Sequence, residues 1–69
     1  MNRGAQTTQR WLDEHPTVTA SDLADRCGML KQQLNFLLRG QRIPTLPQAV
    51  MLNRHARVPF DSWLVPVDE

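Results

Sequence analysis

Between residues 26 and 60 the sequence has no aspartate and no glutamate, although the whole chain has seven acidic residues. Most of the lysines and arginines lie in that segment: Arg26, Lys31, Arg39, Arg42, Arg54 and Arg57. The net charge of +1 therefore hides a basic middle between acidic ends. Such a charge distribution is expected for a protein that binds a polyanion, and a cationic face that is only solvated is the alternative that charge alone leaves open.

Cysteine is scarce as well, since the chain has a single one, Cys27. An intramolecular disulfide is therefore excluded, and Cys27 with His15 and His55 lacks the ligand spacing of a structural zinc site. No segment approaches the roughly 20 apolar residues of a membrane span, and the first residues do not resemble a secretion signal. We expect a cytoplasmic protein with no metal, cofactor, small-molecule ligand or membrane contact. No constellation for catalysis is visible, so we expect no enzyme activity.

Strand signals are also few, whereas helix signals recur along the chain. Helices are predicted over residues 7–14, 19–27, 30–38 and 47–56, with a short fifth helix and an extended tail within 58–67. Thr19 and Thr45 are placed as N-caps, and Gly28 and Gly40 as helix ends. The prediction is one all-α domain over residues 1–69, a compact five-helix bundle. The side chains expected in its core are Trp11, Leu12, Leu23, Ala24, Cys27, Leu34, Leu37, Leu38, Leu46, Ala49, Leu52 and Ala56.

The third predicted helix has an unusual outer surface. At about 100° per residue, one arc of roughly 140° collects polar, cationic and aromatic side chains, opposite a leucine face. The members of this arc are Lys31, Gln32, Asn35, Phe36 and Arg39, with Gln33 at its border. A solvated helix would be expected to carry glutamates and i,i+4 ion pairs, and this one carries none. Amide and cationic groups of this kind can hydrogen-bond base edges in the DNA major groove.

Residues 19–64 resemble, without a gap, the helix-turn-helix domains of phage repressor and Cro-type transcriptional regulators. The matching positions are Thr19, Leu23, Ala24, Gly28, Leu34, Leu37, Gly40, Pro44, Thr45, Leu46 and the sequence VPFDSWL at 58–64. The resemblance implies a lambda repressor-like fold whose helix-turn-helix spans about 19–39, with the helix over 30–38 in the major groove.

The resemblance also distributes contacts over this chain. The residues at base-facing positions are Lys31, Gln32, Gln33, Asn35 and Phe36. Those expected at phosphates are Thr19 and Ala20 through their backbone amides, with Arg39, Gln41, Arg42 and Arg10. Leu30 stands where the family usually has a Ser or Thr cap, so a shifted or frayed helix start is expected. Leu38 replaces a common glutamate that pairs with a helix-one arginine, which leaves Arg10 without that partner.

A single domain of this size contacts few base pairs, so we expect a homodimer that binds a palindromic operator. The expected dimer segment is 58–69, with Phe60, Trp63, Leu64 and Val65 at the interface. The predicted function is that of a repressor of its own operon, in a phage, mobile-element or anti-CRISPR-associated setting implied by the resemblance alone. The alternative is an antitoxin-type module that binds a toxin protein through the same helices.

Overall fold

The structure, a computed structural model, describes residues 2–67. The regular secondary structure of these residues is entirely helical, with no strand. The α-helices are α1 (Arg3–Glu14), α2 (Ala20–Arg26), α3 (Lys31–Leu38) and α4 (Leu46–Ala56), followed by a 3-10 helix (Phe60–Leu64). The prediction of an all-α fold is confirmed. The fifth helical segment is a 3-10 helix rather than an α-helix, and Met1, Asp68 and Glu69 of the predicted domain lie outside the described residues.

Two helix starts have the caps that their sequences predict. The Thr19 hydroxyl accepts a hydrogen bond from the Asp22 amide at 3.1 Å, and the Asp22 carboxylate accepts one from the Thr19 amide at 3.2 Å. Thr45 and Gln48 make the same reciprocal pair at the start of α4. Each pair satisfies two backbone donors that a helix N-terminus leaves without partners, which fixes where the helix begins.

Helix α1 begins at Arg3, so the predicted start at residue 7 is wrong. The side chain of Asn2 accepts a hydrogen bond from the Ala5 amide at 2.7 Å, which makes Asn2 the N-cap. The Thr8 hydroxyl donates to the Gly4 carbonyl at 2.7 Å, so this buried polar group is satisfied within the helix. An asparagine cap and a fully buried Ala5 outweigh the low helix propensity of Gly4.

The two ends of the described chain meet beside α1. The Arg3 amide donates to the Val65 carbonyl at 2.8 Å, and Asn2 forms an antiparallel bridge with Pro66. The indole of Trp63 lies directly over Gly4, where any Cβ atom would overlap the ring. The 3-10 helix is therefore packed onto the first turn of α1, and Gly4 provides the space for the indole.

The core lies where α1, α2, α3 and α4 meet, and most of the predicted core residues are in it. Its largest fully buried hydrophobic side chains are Leu23, Leu34, Leu52 and Val58. The prediction is wrong for Leu46, which is 75% exposed because it occupies the first, outward-facing position of α4. Trp11 and Leu38 are only partly buried, at the margin of the core. In the described residues, no helix combines the length and the hydropathy that a bilayer crossing requires.

Candidate nucleic-acid interface

Helix α3 presents a polar surface above a buried leucine pair. Leu34 and Leu37 are 0% and 3% exposed and anchor the helix in the core, whereas Lys31 and Gln32 are exposed. Asn35 and Phe36 are half-buried on the same outer side. Because Lys31 and Asn35 are i,i+4 neighbours, as are Gln32 and Phe36, the four side chains form two adjacent rows. Amide, ammonium and aromatic groups are thus displayed together on a rigid element.

The segment 27–30 between α2 and α3 closes through its backbone. Gly28 has a φ of +69°, a left-handed conformation that glycine adopts without a steric penalty. The Met29 amide then donates to the Ala24 carbonyl at 2.9 Å, and the Met29 side chain is buried. Sequence reasoning did not place Met29 in the core. This short, packed connection fixes α3 relative to α2.

Leu30 is the N-cap residue of α3, which starts at Lys31 although Leu30 has no polar side chain to cap it. The side-chain oxygen of Gln33 accepts a hydrogen bond from the Leu30 amide at 3.0 Å. Gln33 therefore contributes one half of a capping box, while Leu30 contributes no side-chain acceptor. Of the residues predicted at base edges, Gln33 thus has its carbonyl oxygen engaged in capping, and its side-chain NH₂ group is left as the donor.

The residues after α3 bring a second arginine back to the helix. Arg39 is exposed at the C-cap, Gly40 turns the chain with a φ of +72°, and the Gln41 amide donates to the Phe36 carbonyl at 3.0 Å. The guanidinium carbon of Arg42 then lies 5.0 Å from the ring centroid of Phe36, which is a cation–π contact. Arg42 is therefore adjacent to the polar surface of α3, and Gln41 is exposed beside it.

The other predicted phosphate contacts lie on α2 and α1. The Thr19 amide is already hydrogen-bonded to the Asp22 carboxylate. Of the two backbone amides predicted to contact a phosphate, only that of Ala20 therefore has no capping partner. Arg10 is exposed on α1 and lines a shallow cleft with Leu38 of α3. Arg10 therefore lies beside the last turn of α3.

Three of the four predicted dimer residues, Phe60, Trp63 and Leu64, line one groove, and Val65 does not. Trp63 is 3% exposed and packs mainly in the core of its own chain, so it can offer a partner only a small area. Val65 is on the segment tied to the start of α1. The groove has a volume of about 240 Å³, and we call it the apolar groove. Its lining residues are Ile43, Pro44, Leu46, Ala49, Phe60, Trp63 and Leu64.

Sequence reasoning missed that Ile43 and Leu46 belong to the apolar groove. They are 57% and 75% exposed, and Phe60 and Leu64 are 52% and 74% exposed. Ile43 also lines a second, smaller cleft together with Phe36 and Arg42, so the apolar groove adjoins the outer surface of α3. An isolated isoleucine in a polar loop was the signal that could have identified the groove.

Cys27 is the single thiol of the chain, and it is buried. Burial raises the pKa of the Cys27 thiol, which disfavours the thiolate that a nucleophile requires. Within residues 2–67, no three His, Cys, Asp or Glu side chains are grouped so that they could hold a metal ion.

Comparisons with protein-family models, characterised proteins and solved structures found no match to this chain.

Proposed function

We propose that this protein is a sequence-specific DNA-binding repressor in which α2, residues 27–30 and α3 form a helix-turn-helix. The observation that carries the proposal is the outer surface of α3. Lys31, Gln32 and Asn35 project from a helix whose opposite side is anchored by buried leucines, and the surrounding segment 26–60 has no carboxylate. Such a surface favours DNA because amide and cationic groups match the donors and acceptors of base edges in the major groove.

Contacts to DNA would then divide between two sets of residues. Gln32 and Asn35 can each pair bidentately with adenine, and Lys31 can donate to guanine, which gives sequence preference. Arg39, Gln41 and Arg10 lie at the end of α3 and on neighbouring α1, where cationic and amide donors would hold phosphates. The first set determines which sequence is bound, and the second contributes affinity for any sequence.

A second copy of the chain is the partner that we propose for the apolar groove. The groove has no charged residue, so two identical copies can meet there without like-charge repulsion, and a contact of one surface with itself closes at two subunits. Full burial contributes about 1.5–3 kcal/mol for each leucine or phenylalanine side chain, and the four exposed side chains of the groove are 52–75% exposed, so each has only part of that burial left to gain. Association costs on the order of 4–15 kcal/mol, and the eight side chains of two copies offset the lower part of that range, as expected for a weak dimer.

Sedimentation equilibrium at tens of micromolar tests the dimer. Leu64→Asp introduces a charge into the apolar groove and is expected to convert the dimer to a monomer. Leu30→Asp is the matched control, because Leu30 is similarly exposed, at 68% against 74%, and does not line the groove. A wild-type protein that sediments as a monomer, or equal loss of dimer in both variants, would contradict this assignment.

Repression in this proposal results from occupancy. A dimer bound to an operator in a promoter excludes RNA polymerase, and control of the operon follows the concentration of the protein. The family resemblance favours the operon that encodes the protein itself, in a phage, a mobile element or a setting associated with anti-CRISPR genes. The toxin-binding alternative uses the same helices, and the two differ in whether the purified protein binds DNA.

The salt dependence of binding to a labelled duplex tests DNA binding itself. The logarithm of the association constant should fall linearly with the logarithm of salt concentration, with a slope of about −0.9 for each phosphate neutralised. Arg39→Ala removes one phosphate contact from each copy of the dimer, so it is expected to reduce the magnitude of the slope by about 2 and to weaken binding to all sequences equally. Arg54→Ala is the charge-matched control, because Arg54 lies in a cleft between α1 and the end of α4. No measurable binding at low salt would favour the protein-interaction alternative.

A further inference from the structure

The guanidinium of Arg42 lies close to the outer surface of α3, although the residue is exposed. Its guanidinium carbon is 5.0 Å from the ring centroid of Phe36, within the distance at which a cation over an aromatic face is attracted. The Gln41 amide is hydrogen-bonded to the Phe36 carbonyl, which keeps the backbone beside Arg42 close to the same turn of α3. The side chain and the backbone therefore both bring Arg42 to Phe36.

Contact with the ring leaves the hydrogen-bonding groups of the guanidinium available. Arginine has five N–H donors, and the Phe36 ring has no oxygen or nitrogen acceptor, so the contact uses none of them in a conventional hydrogen bond. No carboxylate occurs between residues 26 and 60 that could engage these donors from a neighbouring position in the sequence. Phe36 thus keeps the planar guanidinium of Arg42, with its donors, near one place on α3. Binding then costs less side-chain entropy than it would for an arginine without such a contact.

Phe36 also determines where the guanidinium of Arg42 lies relative to the base-facing side chains. It follows Gln32 by four residues on α3, so the two side chains are neighbours on the helix surface. Arg42 contacts Phe36 and lines one cleft with Phe36 and Gln33, so it lies beside the base-facing side chains of α3. Arg39 has no such aromatic contact and is exposed at the helix C-cap.

From this geometry we infer that Arg42 reads a guanine rather than holding a phosphate, and that Phe36 contacts the methyl group of the thymine beside it. The inference rests on the proposed DNA binding. Arginine pairs bidentately with O6 and N7 of guanine, and apolar side chains contact the C5-methyl of thymine in the same groove. Phe36 and Arg42 together would thus recognise a thymine–guanine step, and Arg42 would determine specificity.

Binding is measured on the duplex that the wild-type protein selects from a random library, with single guanines replaced by 7-deazaguanine. The replacement removes the N7 acceptor, so at one guanine per half-site the wild type should lose roughly five- to 150-fold in affinity. Arg42→Ala should lose no further affinity from that replacement. Phe36→Leu, which removes the aromatic ring and keeps an apolar side chain, should show a reduced loss. Arg39→Ala, the matched control, should bind more weakly but retain the full loss.

The outcomes separate this inference from the proposed function. If Arg42→Ala retains the full 7-deazaguanine loss, or weakens binding to all duplexes equally, Arg42 is a phosphate contact and the inference is overturned while DNA binding stands. If the site that the wild type selects contains no guanine, the inference is likewise overturned while DNA binding stands. If the wild type selects no sequence, the proposed function itself fails. Far-UV circular dichroism of each variant shows whether the fold is retained, and Arg42 is exposed, so its replacement is expected to leave the fold intact.

Discussion

Gly4→Ala should destabilise the protein, although alanine is the better helix former. Gly4 is in the first turn of α1, and a Cβ atom there would overlap the indole ring of Trp63. The ring cannot move aside freely because Trp63 is 3% exposed. Inserting a methyl group into packed surroundings costs about 1–3 kcal/mol, and alanine in a helix recovers roughly 0.5–1 kcal/mol. The difference spans roughly 0–2.5 kcal/mol. Because the overlap is with ring atoms of a buried side chain, we expect the upper part of that range, a loss of about 1–2 kcal/mol in the free energy of unfolding.

Such a loss is a large part of the stability of a domain this small, whose core supplies about 3–5 kcal/mol. At about 4–8 °C for each kcal/mol, the Tm should fall by roughly 5–15 °C. Far-UV circular dichroism during heating measures the change, at one fixed protein concentration because a dimer would make the Tm depend on concentration. Gln6→Ala, at an exposed position of the same helix, is the control and should leave the Tm nearly unchanged.

A double-mutant cycle tests the reason for the loss. If Gly4→Ala is destabilising because of the indole, it should cost less in a Trp63→Leu background, where the ring is absent. An unchanged or raised Tm for Gly4→Ala in the wild-type background would refute the packing of the 3-10 helix on α1. Trp63 would then be free to lie at an interface between copies.

Three further predictions concern base reading, the thiol and a helix cap. Gln32→Ala should cost about 1–3 kcal/mol on the selected operator and little on random duplexes, measured by fluorescence anisotropy; equal losses on both would contradict base reading. Burial raises the pKa of Cys27, so the free energy of unfolding should be fully retained below the ordinary thiol pKa and fall as pH rises through the raised value; urea titrations across that range should show a smaller fall for Cys27→Ala. Thr45→Ala removes the hydroxyl that caps α4 and should lower stability by about 1 kcal/mol in urea unfolding, and no change would mean that the cap is dispensable.

The sequence was sufficient for those elements whose determinants are local. The capping pairs at Thr19 and Thr45 and the left-handed glycines at positions 28 and 40 occur where short-range patterns predict them. The polar surface of α3 was likewise predictable, because helical periodicity alone separates Lys31 and Gln32 from the buried Leu34. The start of α3 was harder to predict from the sequence, because its cap comes from Gln33 and not from the N-cap side chain.

The parts that sequence reasoning missed depend on contacts between distant segments. The first turn of α1 is stabilised by packing against Trp63, about sixty residues later in the chain, which no local pattern records. The same contact puts Trp63 in the core, where its apolar character had indicated an interface. Ile43 and Phe60 likewise form one groove only after the chain folds. Tertiary contacts of this kind override local propensity in both directions.

Selection of binding sites from a random duplex library by the wild-type protein tests the central claim most directly. Sequence-specific binding through α3 predicts enrichment of a palindrome whose half-sites are about one helical turn, 10–10.5 base pairs, apart. A Gln32→Ala protein, selected in parallel, should lose preference at one position of each half-site. Recovery of a library with no enriched sequence, under low-salt conditions in which the protein is folded, would contradict the account.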